Sequence, residues 1–449
     1  MQNKNEQMAV KIARQVALSG GRTFYVGGLV RDRLLGIENK DIDIEIHGIP
    51  AEELKNILSG LGEVTVMGAS FGIYGLRHYE VDIALPRMEN AIGRGHKDFE
   101  VITDPFIGPE KAAIRRDFTI NAMMEDVLTG EILDFFGGRE DLKNGVIRHV
   151  NAETFVEDPL RVLRAAQFAS RFGFRIADET IFLSKTMDLS TLSMERITGE
   201  LEKALMKAGH PSVFFEELRR MEQLHTWFPE MEDLIGVVQP PSHHPEGDVW
   251  NHTMLVLNEA AALRAQAREP RYFMYAALTH DFGKAVTTEI IDGKIHSYGH
   301  EEEGLPIVSR FISRLTSETA LAKYVLNMTE LHMKPNMFAA QNSGRKAFMK
   351  LFDRSVCPED LLLLAKADYL GRDLPDRDYP EEAILREMLA SYDDLMSRPY
   401  VQGRDLVAAG IRPGPLFKEA LDYGHALRLA GVPKEQALPQ VLAMIRRNT

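Results

Sequence analysis

Hydrophobic and polar residues follow two different patterns along the 449-residue chain. Between Thr23 and about Val150, short apolar runs alternate with polar positions, as in TFYVGG, DIDIEIHG, EVTVMG, YEVDIAL and EILDFFGG. Runs of period two, separated by segments of helical periodicity, predict an α+β layout. From Asn151 onward the apolar positions recur at helical spacing, as in DPLRVLRAAQFASRFGF. The pattern therefore predicts a sheet-containing N-terminal part followed by an all-helical remainder.

Turn signals divide the chain further. The N-terminus predicts a short amphipathic helix that stops at Gly20 and Gly21. The segment 88–110 contains Gly and Pro without clean periodicity, and predicts a long flexible loop or irregular strands. Two proline-rich stretches, VVQPPSHHPEGD and DLPDRDYPEE, mark later boundaries. We therefore expect four domains, covering residues 1–150, 151–238, 239–375 and 376–449.

Composition places the chain among soluble globular proteins, with 45% hydrophobic and 27% charged residues. No apolar run reaches the ~18 residues of a membrane span, and the N-terminus lacks the features of a secretory signal. Cys357 is the single cysteine, so an intrachain disulfide and a cysteine-based zinc site are excluded, and a reducing cytoplasm is expected. The net charge of −13 argues against coating nucleic acid through bulk positive charge. A nucleic-acid partner would be held by a local cluster of basic residues.

The stretch FYVGGLVRDRLLGIENKDIDIEIHG, from Phe24 to Gly48, combines a glycine pair with two closely spaced carboxylates. Side chains alternate along a strand, so Asp41 and Asp43 project to the same side. Two such carboxylates repel each other unless a cation lies between them. Mg²⁺ suits this position, because carboxylates and substrate phosphates complete its octahedral coordination. The pair therefore predicts a two-metal site for phosphoryl or nucleotidyl transfer.

Gly27 and Gly28 precede these carboxylates at the end of a predicted strand. Because they lack a Cβ, backbone N–H groups can approach an anion there, and the following helix directs its positive end to the same place. Arg31 lies on the first turn of that helix, where its guanidinium could reach a triphosphate. The stretch thus predicts a triphosphate-binding turn beside a metal-binding strand.

These residues resemble the nucleotidyltransferase superfamily that includes DNA polymerase beta. They are most similar to its class II tRNA nucleotidyltransferases (CCA-adding enzymes) and to bacterial poly(A) polymerases. Three further motifs carry the resemblance, namely RRDFTINAM (115–123), FVEDPLRVLRAAQFASRFGF (155–174) and MERITGEL around Arg196. The resemblance implies a polymerase-beta-like palm as the head and a helical neck after it. It also implies that Arg116 contacts the nucleotide and that Asp117 lies near its ribose.

Asp158 and Arg161 are three positions apart and are expected on one face of a helix. Cytosine and adenine both present an amine donor beside a ring-nitrogen acceptor. A carboxylate and a guanidinium together therefore suit these bases and leave unpaired groups against G and U. The resemblance assigns this template role to the same two residues and matches Arg164 to a further arginine of the family. Gln167 stands where close relatives often carry another arginine, which leaves a nucleotide contact at that position open.

A third acidic residue is expected in the strand of HYEVDIALPR. The resemblance favours Glu80, because the family has a Glu-Val pair in the matching strand. Asp82 is the alternative, since it lies two positions on and would share the same face of the strand.

A second set of polar residues lies in the C-terminal half, in the order His252, His280-Asp281 and Asp368. Adjacent His and Asp on a helix are about 100° apart, close enough for both to bind one ion. Imidazole and carboxylate ligands suit Mn²⁺, Ni²⁺, Co²⁺ or Mg²⁺, and such a metal could activate water against a phosphate ester. These segments resemble the HD phosphohydrolase domain, which implies phosphatase and cyclic-phosphodiesterase activity on phosphate ends. For His300 and His332, lining this pocket and lying at the surface are both open.

The complete expectation is an α+β head, an all-α neck, an HD body and a helical tRNA-binding tail. The predicted activity is template-independent addition of C and A to the 3′ end of tRNA from CTP and ATP, with Mg²⁺ in the head and a divalent metal in the HD site. Within the same class, the alternatives are a poly(A) polymerase and an enzyme that adds only A or only CC. From other classes, they are an HD phosphohydrolase with an RNA-binding N-terminal half and a nucleotide-binding regulatory protein. No membrane or disulfide partner is expected.

Overall fold

The structure, a computed structural model, describes residues 4–67, 73–91, 99–374 and 378–447, without the side chains of residues 67, 87–91 and 99–102. The first helices are α1 (Lys4–Leu18), α2 (Gly28–Leu34), α3 (Ala51–Leu61), α4 (Pro109–Ala113), α5 (Gly138–Lys143), α6 (Ala152–Phe155), α7 (Leu160–Phe172), α8 (Asp178–Lys185), α9 (Met194–Lys207) and α10 (Ser212–Arg220). The strands among them are β1 (Arg22–Val26), β2 (Ile42–His47), β3 (Val64–Met67), β4 (Ile73–Leu76), β5 (Val81–Ala84), β6 (Arg87–Ala91), β7 (Phe99–Thr103), β8 (Met124–Asp126), β9 (Ile132–Leu133), β10 (Val146–Ile147) and β11 (Arg175–Ile176).

The remaining elements are almost all helical. They are α11 (Pro229–Glu232), α12 (Val249–Leu263), α13 (Pro270–Thr279), α14 (Lys284–Thr287), β12 (Glu289–Ile291), β13 (Lys294–His296), α15 (His300–Glu303), α16 (Leu305–Leu315), α17 (Thr319–Leu331), α18 (Lys334–Ala340), α19 (Arg345–Arg354), α20 (Pro358–Leu370), α21 (Glu382–Ser397), α22 (Gly403–Ala408), α23 (Pro415–Leu429) and α24 (Lys434–Arg447).

Seven strands form the main sheet in the order β3-β4-β5-β2-β1-β8-β9. β2 and β5 are parallel, and the other neighbouring pairs are antiparallel. β1 and β2 lie inside the sheet, and nearly all of their side chains are buried, as their apolar runs predict. Phe24 and Val26 of β1 pack with Ala122 and Met124 in one core cluster. This core supports the part of the sheet that carries the predicted carboxylates.

The structure tests the predictions for the N-terminal helix and for the segment 88–110. α1 ends at Leu18, just before Gly20 with φ +83°, as the N-terminal pattern predicts. For the segment 88–110, strands rather than a loop are found, because β6 and β7 pair antiparallel from Arg87↔Thr103 to Ala91↔Phe99. Residues 92–98 between these strands lie outside the described residues.

The predicted α+β head followed by a mainly helical remainder is confirmed, with one small correction. Short strands occur after Asn151, because β11 pairs parallel with β10, and β12 pairs antiparallel with β13. Each of these strands has only two or three residues. Such runs are too short to show the alternation by which a strand is recognised in a sequence.

The chain divides into two compact units. The first unit contains Met1–Ala208 and Val213–Trp227, and the second contains Gly209–Ser212 and Phe228–Thr449. The domain limits at 150 and 238 stay predictions, and the limit at 375 lies outside the described residues. Among the helices that the structure describes, none has the length and apolar character to cross a membrane.

Candidate functional site

A cleft with a volume of about 800 Å³ opens in the first unit. This size is within the range of pockets that bind small molecules. The turn from β1 to α2, the strands β2 and β5, and the helix α7 contribute to its lining. Its charged lining residues are Arg31, Asp32, Glu38, Lys40, Asp41, Asp43, Glu45, Asp82, Arg115, Arg116, Asp117, Asp158, Arg161, Arg164, Arg171, Lys203 and Lys207. Most of the residues predicted for the head therefore meet in one cleft.

Three carboxylates of the cleft come from two neighbouring strands. Asp43 on β2 is the register partner of Asp82 on β5, and Asp41 immediately precedes β2. Burial raises the pKa of Asp43, and the negative charges of Asp82 and Asp41 raise it further, while the charge of Arg116 opposes them. Clustered carboxylate oxygens that repel one another fit a hard divalent cation such as Mg²⁺.

Glu80, the predicted third carboxylate, does not line this cleft, whereas its alternative Asp82 does. β5 begins at Val81, so Glu80 immediately precedes this strand. The side chain of Glu80 is exposed, and its backbone N–H donates to Asn5 Oδ1 at 3.3 Å. The alternative, Asp82, is the residue that the parallel register places beside Asp43.

A fourth carboxylate, Glu45, continues the alternation of the two aspartates along β2 but already has partners. Its Oε1 lies 2.9 Å from His47 Nε2, and its Oε2 accepts from Arg116 Nη2 at 3.4 Å. Burial alone would raise the pKa of Glu45, but these two partners lower it overall. Arg116 also lies against Gly27, where φ is +69° and a Cβ would be 3.1 Å from Nη1. Glycine is therefore required at this turn, and Arg116 lies beside it; its contact with a nucleotide stays a prediction.

Arg31 lines the cleft, but its guanidinium is buried and engaged, unlike the predicted triphosphate ligand. Nε donates to Asp32 Oδ1 at 2.8 Å, and Nη1 donates to Asn121 Oδ1 at 2.7 Å. The guanidinium also lies over two aromatic rings, 5.1 Å from the centroid of Phe168 and 4.7 Å from that of Phe172. Arg31 therefore connects α2 to α7 through its contacts with the two rings. Its positive charge is already balanced by the carboxylate of Asp32.

Asp117 and Arg164 form an ion pair between the 115–123 segment and α7. Asp117 accepts from Phe118 N at 2.8 Å, from Asn121 Nδ2 at 3.0 Å and from Arg164 Nε at 2.7 Å. Burial alone would raise the pKa of Asp117, but the charge of Arg164 and the bond from Asn121 lower it overall. Arg164 also lies 5.0 Å from the ring centroid of Phe168. The pair fixes the orientation of the arginine, whose side chain stays 30% exposed.

Asp158 and Arg161 both line the cleft, but they are not a pair on one helix. α7 begins two residues after Asp158, whose carboxylate accepts from Arg196 Nη2 at 2.8 and 3.0 Å. Arg161 donates to the backbone carbonyls of Thr154 at 2.6 Å and Arg115 at 2.7 Å. The prediction that Asp158 and Arg161 pair on one face of a helix is therefore wrong. Asp158 is bound by Arg196, and Arg161 is bound by two backbone carbonyl groups, and neither contact follows from the three-residue spacing.

Gln167 of α7 lines the same cleft and is 1% exposed. Among the described residues, none pairs with its amide nitrogen Nε2. A buried donor without an acceptor costs about 1–3 kcal/mol. Gln167 therefore places an unpaired N–H donor at the cleft. The sequence left open whether residue 167 contacts the nucleotide.

A second cluster of polar residues lies in the second unit, around His252 on the first turn of α12. His252 Nδ1 is 2.8 Å from Glu246 Oε1, and His252 Nε2 is 3.0 Å from Asp368 Oδ1 on α20. Burial alone would lower the pKa of His252, but these two carboxylates raise it overall. Glu246 also lies 2.8 Å from His244 Nδ1. Neither Glu246 nor His244 was predicted, because both belong to the proline-rich stretch that reads as a boundary.

His280 and Asp281 follow α13, which ends at Thr279, so they do not lie within a helix as predicted. Asp281 Oδ2 is 3.3 Å from His280 Nε2, 3.7 Å from His252 Nε2 and 2.7 Å from Lys284 Nζ. The ligand atoms of the two histidines and Asp281 all lie within 4.8 Å of one another. Buried imidazole and carboxylate donors at this spacing fit a first-row divalent metal.

His300 and His332 lie against the other oxygen of Asp281. Their Nε2 atoms are 3.3 and 3.6 Å from Asp281 Oδ1 and 3.3 Å from each other. Gly283 permits this approach, because a Cβ there would overlap the carbonyl of His300 and lie 2.8 Å from Gly304 N. Both histidines are buried, so the surface alternative for them is wrong.

Three family models match the chain along its length. The poly A polymerase head domain matches residues 23–148, and a probable RNA- and SrmB-binding site of polymerase A matches residues 173–235. The HD domain matches residues 249–373. The first model contains Asp41, Asp43 and Asp82, and the third contains His252, His280 and Asp368.

Curated relatives are similar to nearly the whole chain. The multifunctional CCA protein of Thioalkalivibrio sulfidiphilus (strain HL-EbGR7) is 36% identical over 438 residues, which cover 94% of this chain and 99% of that protein. The multifunctional CCA protein of Nitrosococcus oceani is 38% identical over 400 residues, which cover 87% and 93%.

Solved structures share the fold at lower identity. The Thermotoga maritima CCA-adding enzyme complexed with tRNA has a TM-score of 0.66 and 22% identity, covering 99% of this chain and 96% of that chain. A CCA-adding enzyme in complex with CTP has a TM-score of 0.68 and 23% identity, with the same coverage.

Proposed function

The chain belongs to the family of multifunctional CCA proteins, which are nucleotidyltransferases, and on that premise we propose that it adds C and A to the 3′ end of tRNA from CTP and ATP. The observation that carries the proposal is the cleft in which Asp43 and Asp82 lie side by side on paired strands, with Arg116 among the other lining residues. Relatives with the same fold have been solved with tRNA and with CTP. Since tRNA is the proposed substrate, we assign the reaction to the cytoplasm.

Asp41, Asp43 and Asp82 hold Mg²⁺ in this proposal, and Arg116 binds the triphosphate. Bound there, Mg²⁺ lowers the pKa of the attacking 3′-hydroxyl and stabilises charge on the leaving pyrophosphate. Arg116 is one-quarter exposed, and its contacts with Glu45 and Gly27 orient its guanidinium in the cleft. In this proposal the carboxylates bind the metal at the reacting phosphate, and the guanidinium of Arg116 binds the triphosphate.

Asp158 and Arg161 select the base. Leu160 N and Arg196 Nη2 donate to Asp158 Oδ1, and Arg196 Nη2 also donates to Oδ2, which keeps a lone pair free to accept from the exocyclic amine of C or A. Two carbonyl groups hold Arg161, and its remaining N–H groups donate to the ring nitrogen. Because both side chains are held in advance, less ordering is required on binding. Guanine and uracil present the opposite pattern and would leave these groups unpaired.

Single-nucleotide extension tests this function. tRNA transcripts that lack CCA, CA or A are offered labelled CTP or ATP separately, and we expect C on the first two and A on the last. Asp43→Asn is expected to abolish both additions, whereas Glu53→Gln, an exposed exchange on α3, is the matched control. Addition of ATP alone to any RNA would support a poly(A) polymerase or A-adding enzyme. Undiminished addition by Asp43→Asn would contradict the proposed site.

We further propose that the second unit hydrolyses phosphate esters at RNA ends, because it buries a set of metal ligands that a purely structural core does not need. His252, His280, Asp281 and Asp368 hold a divalent metal, which when bound activates water against a phosphate ester. Lys284, 2.7 Å from Asp281, adds positive charge for a phosphate. Hydrolysis of a 2′,3′-cyclic phosphate by the full chain tests this activity. We expect Asp281→Asn to abolish hydrolysis while CTP incorporation continues, and equal hydrolysis by this variant would contradict the proposal.

The helical tail is proposed to contact the tRNA backbone. Its last helix, α24, carries Arg446 and Arg447 in its final turn. Basic side chains of this kind bind phosphates without reading sequence. Replacing both with Ala should weaken tRNA binding and reduce its salt dependence. An unchanged affinity across salt concentrations would contradict a role for this helix.

A further inference from the structure

We propose that Asn39 is a positioning residue for the nucleotidyl-transfer site, and that it fixes Asp41 for metal binding by connecting the backbone of Asp41 to the buried carboxylate of Asp32. Asn39 lies between α2 and β2 and lines the cleft. In this proposal it binds neither metal nor nucleotide and acts only through Asp41. The inference rests on the proposed nucleotidyl transfer. Its test compares variants with the unaltered chain, so that each of the two can fail alone.

Asp41 is the carboxylate of the proposed metal site that no strand holds. Asp43 and Asp82 lie within the paired register of β2 and β5, whereas Asp41 precedes the first residue of β2. Its side chain is exposed. Its backbone N–H donates to Asn39 Oδ1 at 2.9 Å. A ligand whose backbone is fixed before the metal arrives loses less conformational freedom on binding, so this bond favours metal binding.

The other end of the Asn39 side chain is bound to a buried residue of α2. Asn39 Nδ2 donates to Asp32 Oδ2 at 2.9 Å, and Asp32 is 1% exposed. These two partners fix the orientation of the amide, because a carboxylate can only accept and the N–H of Asp41 can only donate. Asn39 therefore connects the start of β2 to a position in the interior of the first unit.

Asp32 is a firm anchor because a continuous series of hydrogen bonds holds it. Its Oδ1 accepts from Arg31 Nε at 2.8 Å, and Arg31 Nη1 donates to Asn121 Oδ1 at 2.7 Å. Asn121 Nδ2 donates to Asp117 at 3.0 Å, and Asp117 accepts from Arg164 of α7 at 2.7 Å. Buried bonds to charged groups are stronger than neutral ones and orient their partners. The backbone of Asp41 is thus connected to α7 through side chains.

The bond to Asp32 distinguishes positioning from an ordinary turn. An asparagine that accepts from the N–H two residues on is common in turns, and such a turn needs only Oδ1. Asp32→Asn leaves the turn intact and removes the anchor. An amide at position 32 has one acceptor, so it can accept from Arg31 or from Asn39 but not from both. The charged Arg31 is the stronger competitor, so Asn39 is expected to lose its partner.

The Mg²⁺ concentration that gives half-maximal CTP incorporation is the first measurement. Loss of one hydrogen bond corresponds to about a fivefold effect. We therefore expect Asn39→Ala and Asp32→Asn each to raise this concentration about fivefold, with the KM for CTP at saturating Mg²⁺ within about twofold. Asn144→Ala is the matched control, because this exposed asparagine donates to Glu140 at 2.7 Å and does not line the cleft. An unchanged Mg²⁺ requirement in Asn39→Ala and Asp32→Asn would overturn the proposal.

Exchanging the two residue types separates positioning from a change of charge. Asp32→Asn combined with Asn39→Asp reverses donor and acceptor, restores every bond of the connection and keeps the net charge. We expect this pair to return the Mg²⁺ requirement to within about twofold of the unaltered chain. Asn39→Asp alone places two carboxylates against each other and should stay worse than the pair. A pair no better than Asp32→Asn alone, or an Asn39→Asp variant as good as the pair, would overturn the proposal.

Mn²⁺ binding provides a measurement that does not depend on activity. Mn²⁺ takes the same oxygen ligands as Mg²⁺, and bound Mn²⁺ is lost from the free-ion signal in electron paramagnetic resonance. Every variant also carries Asp281→Asn, which removes the proposed metal ligand of the second unit. We expect about fivefold weaker binding in Asp32→Asn and in Asn39→Ala, and recovery in the exchanged pair.

The outcomes separate this inference from the proposed function. Asn39→Ala changes a half-buried residue outside the helices and strands, so it covers the case in which Asp32→Asn does not fold. Equal Mn²⁺ affinity in Asn39→Ala and the unaltered chain, with CTP incorporation by the unaltered chain intact, would overturn only the role of Asn39. An unaltered chain without CTP incorporation would contradict the proposed function itself.

Discussion

The exchange Asp82→Asn tests the geometry of the nucleotidyl-transfer site most directly. The sequence favoured Glu80 as the third carboxylate, whereas the parallel register of β2 and β5 places Asp82 beside Asp43. Asparagine keeps the size of the side chain and removes one negative charge. Glu80→Gln is the matched control, because it removes a charge two residues away and keeps the backbone bond to Asn5.

The expected magnitude follows from the distance between the strands. Paired strands lie about 4.8 Å apart, so the charges of Asp43 and Asp82 interact over roughly that distance. With an effective dielectric constant of about 20, their repulsion is roughly 3 kcal/mol, and water at the exposed Asp82 reduces it. A cation held between them turns repulsion into attraction of similar size. Loss of about 3 kcal/mol of transition-state stabilisation corresponds to a fall in kcat/KM of about a hundredfold.

Initial rates of CTP incorporation, measured over Mg²⁺ concentration and pH, provide the assay. We expect Asp82→Asn to reduce kcat/KM about a hundredfold, with partial recovery at high Mg²⁺, and Glu80→Gln to stay within about twofold. The charge of Asp82 raises the pKa of Asp43, so its removal lowers that pKa. Asp43 then stays ionised to lower pH, and the acid limb of kcat/KM moves in the same direction. Activity lost in Glu80→Gln and kept in Asp82→Asn would refute the assignment.

Three further predictions concern single positions. Gly283→Ala forces a Cβ against the carbonyl of His300. We therefore expect hydrolysis of a cyclic phosphate to fall at least about tenfold while CTP incorporation is unchanged. Loss of both activities, or of neither, would contradict this prediction. Gln167→Leu removes an unused buried donor, so we expect an unchanged or higher melting temperature and a KM for CTP raised about fivefold; an unaltered KM would exclude a nucleotide contact. Burial raises the pKa of Cys357 to about 12, which lowers its thiolate fraction at pH 8 about a thousandfold. A thiol reagent should therefore react far more slowly with the folded chain than with the chain unfolded in urea. Equal reaction rates would contradict the burial of Cys357.

The resemblance to class II tRNA nucleotidyltransferases is confirmed by relatives that are 36% and 38% identical. It was recognisable because the motifs are local. The spacing of Asp41 and Asp43 fixes them to one face of a strand, whatever the neighbouring strand is. The glycine pair at Gly27 and Gly28 and the change from period-two to helical periodicity are likewise properties of adjacent residues. Features of this kind depend only on residues that are close together in the sequence, so they can be predicted from the sequence.

Contacts between distant segments were decided by the tertiary structure. Register between β2 and β5, rather than any spacing, brings Asp82 to Asp43. Arg31 was expected to face the ligand, but it is buried because Asp32, Asn121 and the rings of α7 surround it. Asp158 has Arg196 as its partner, 38 positions away, since α9 packs on α7.

The second unit shows the same division. The sequence predicts candidate side chains for the chemistry, because residue type and local period are properties of short stretches. Only the fold decided which of them meet, because pairing across dozens of residues depends on how helices pack. Asp281 and His332, 51 positions apart in the printed chain, share one buried cluster for that reason.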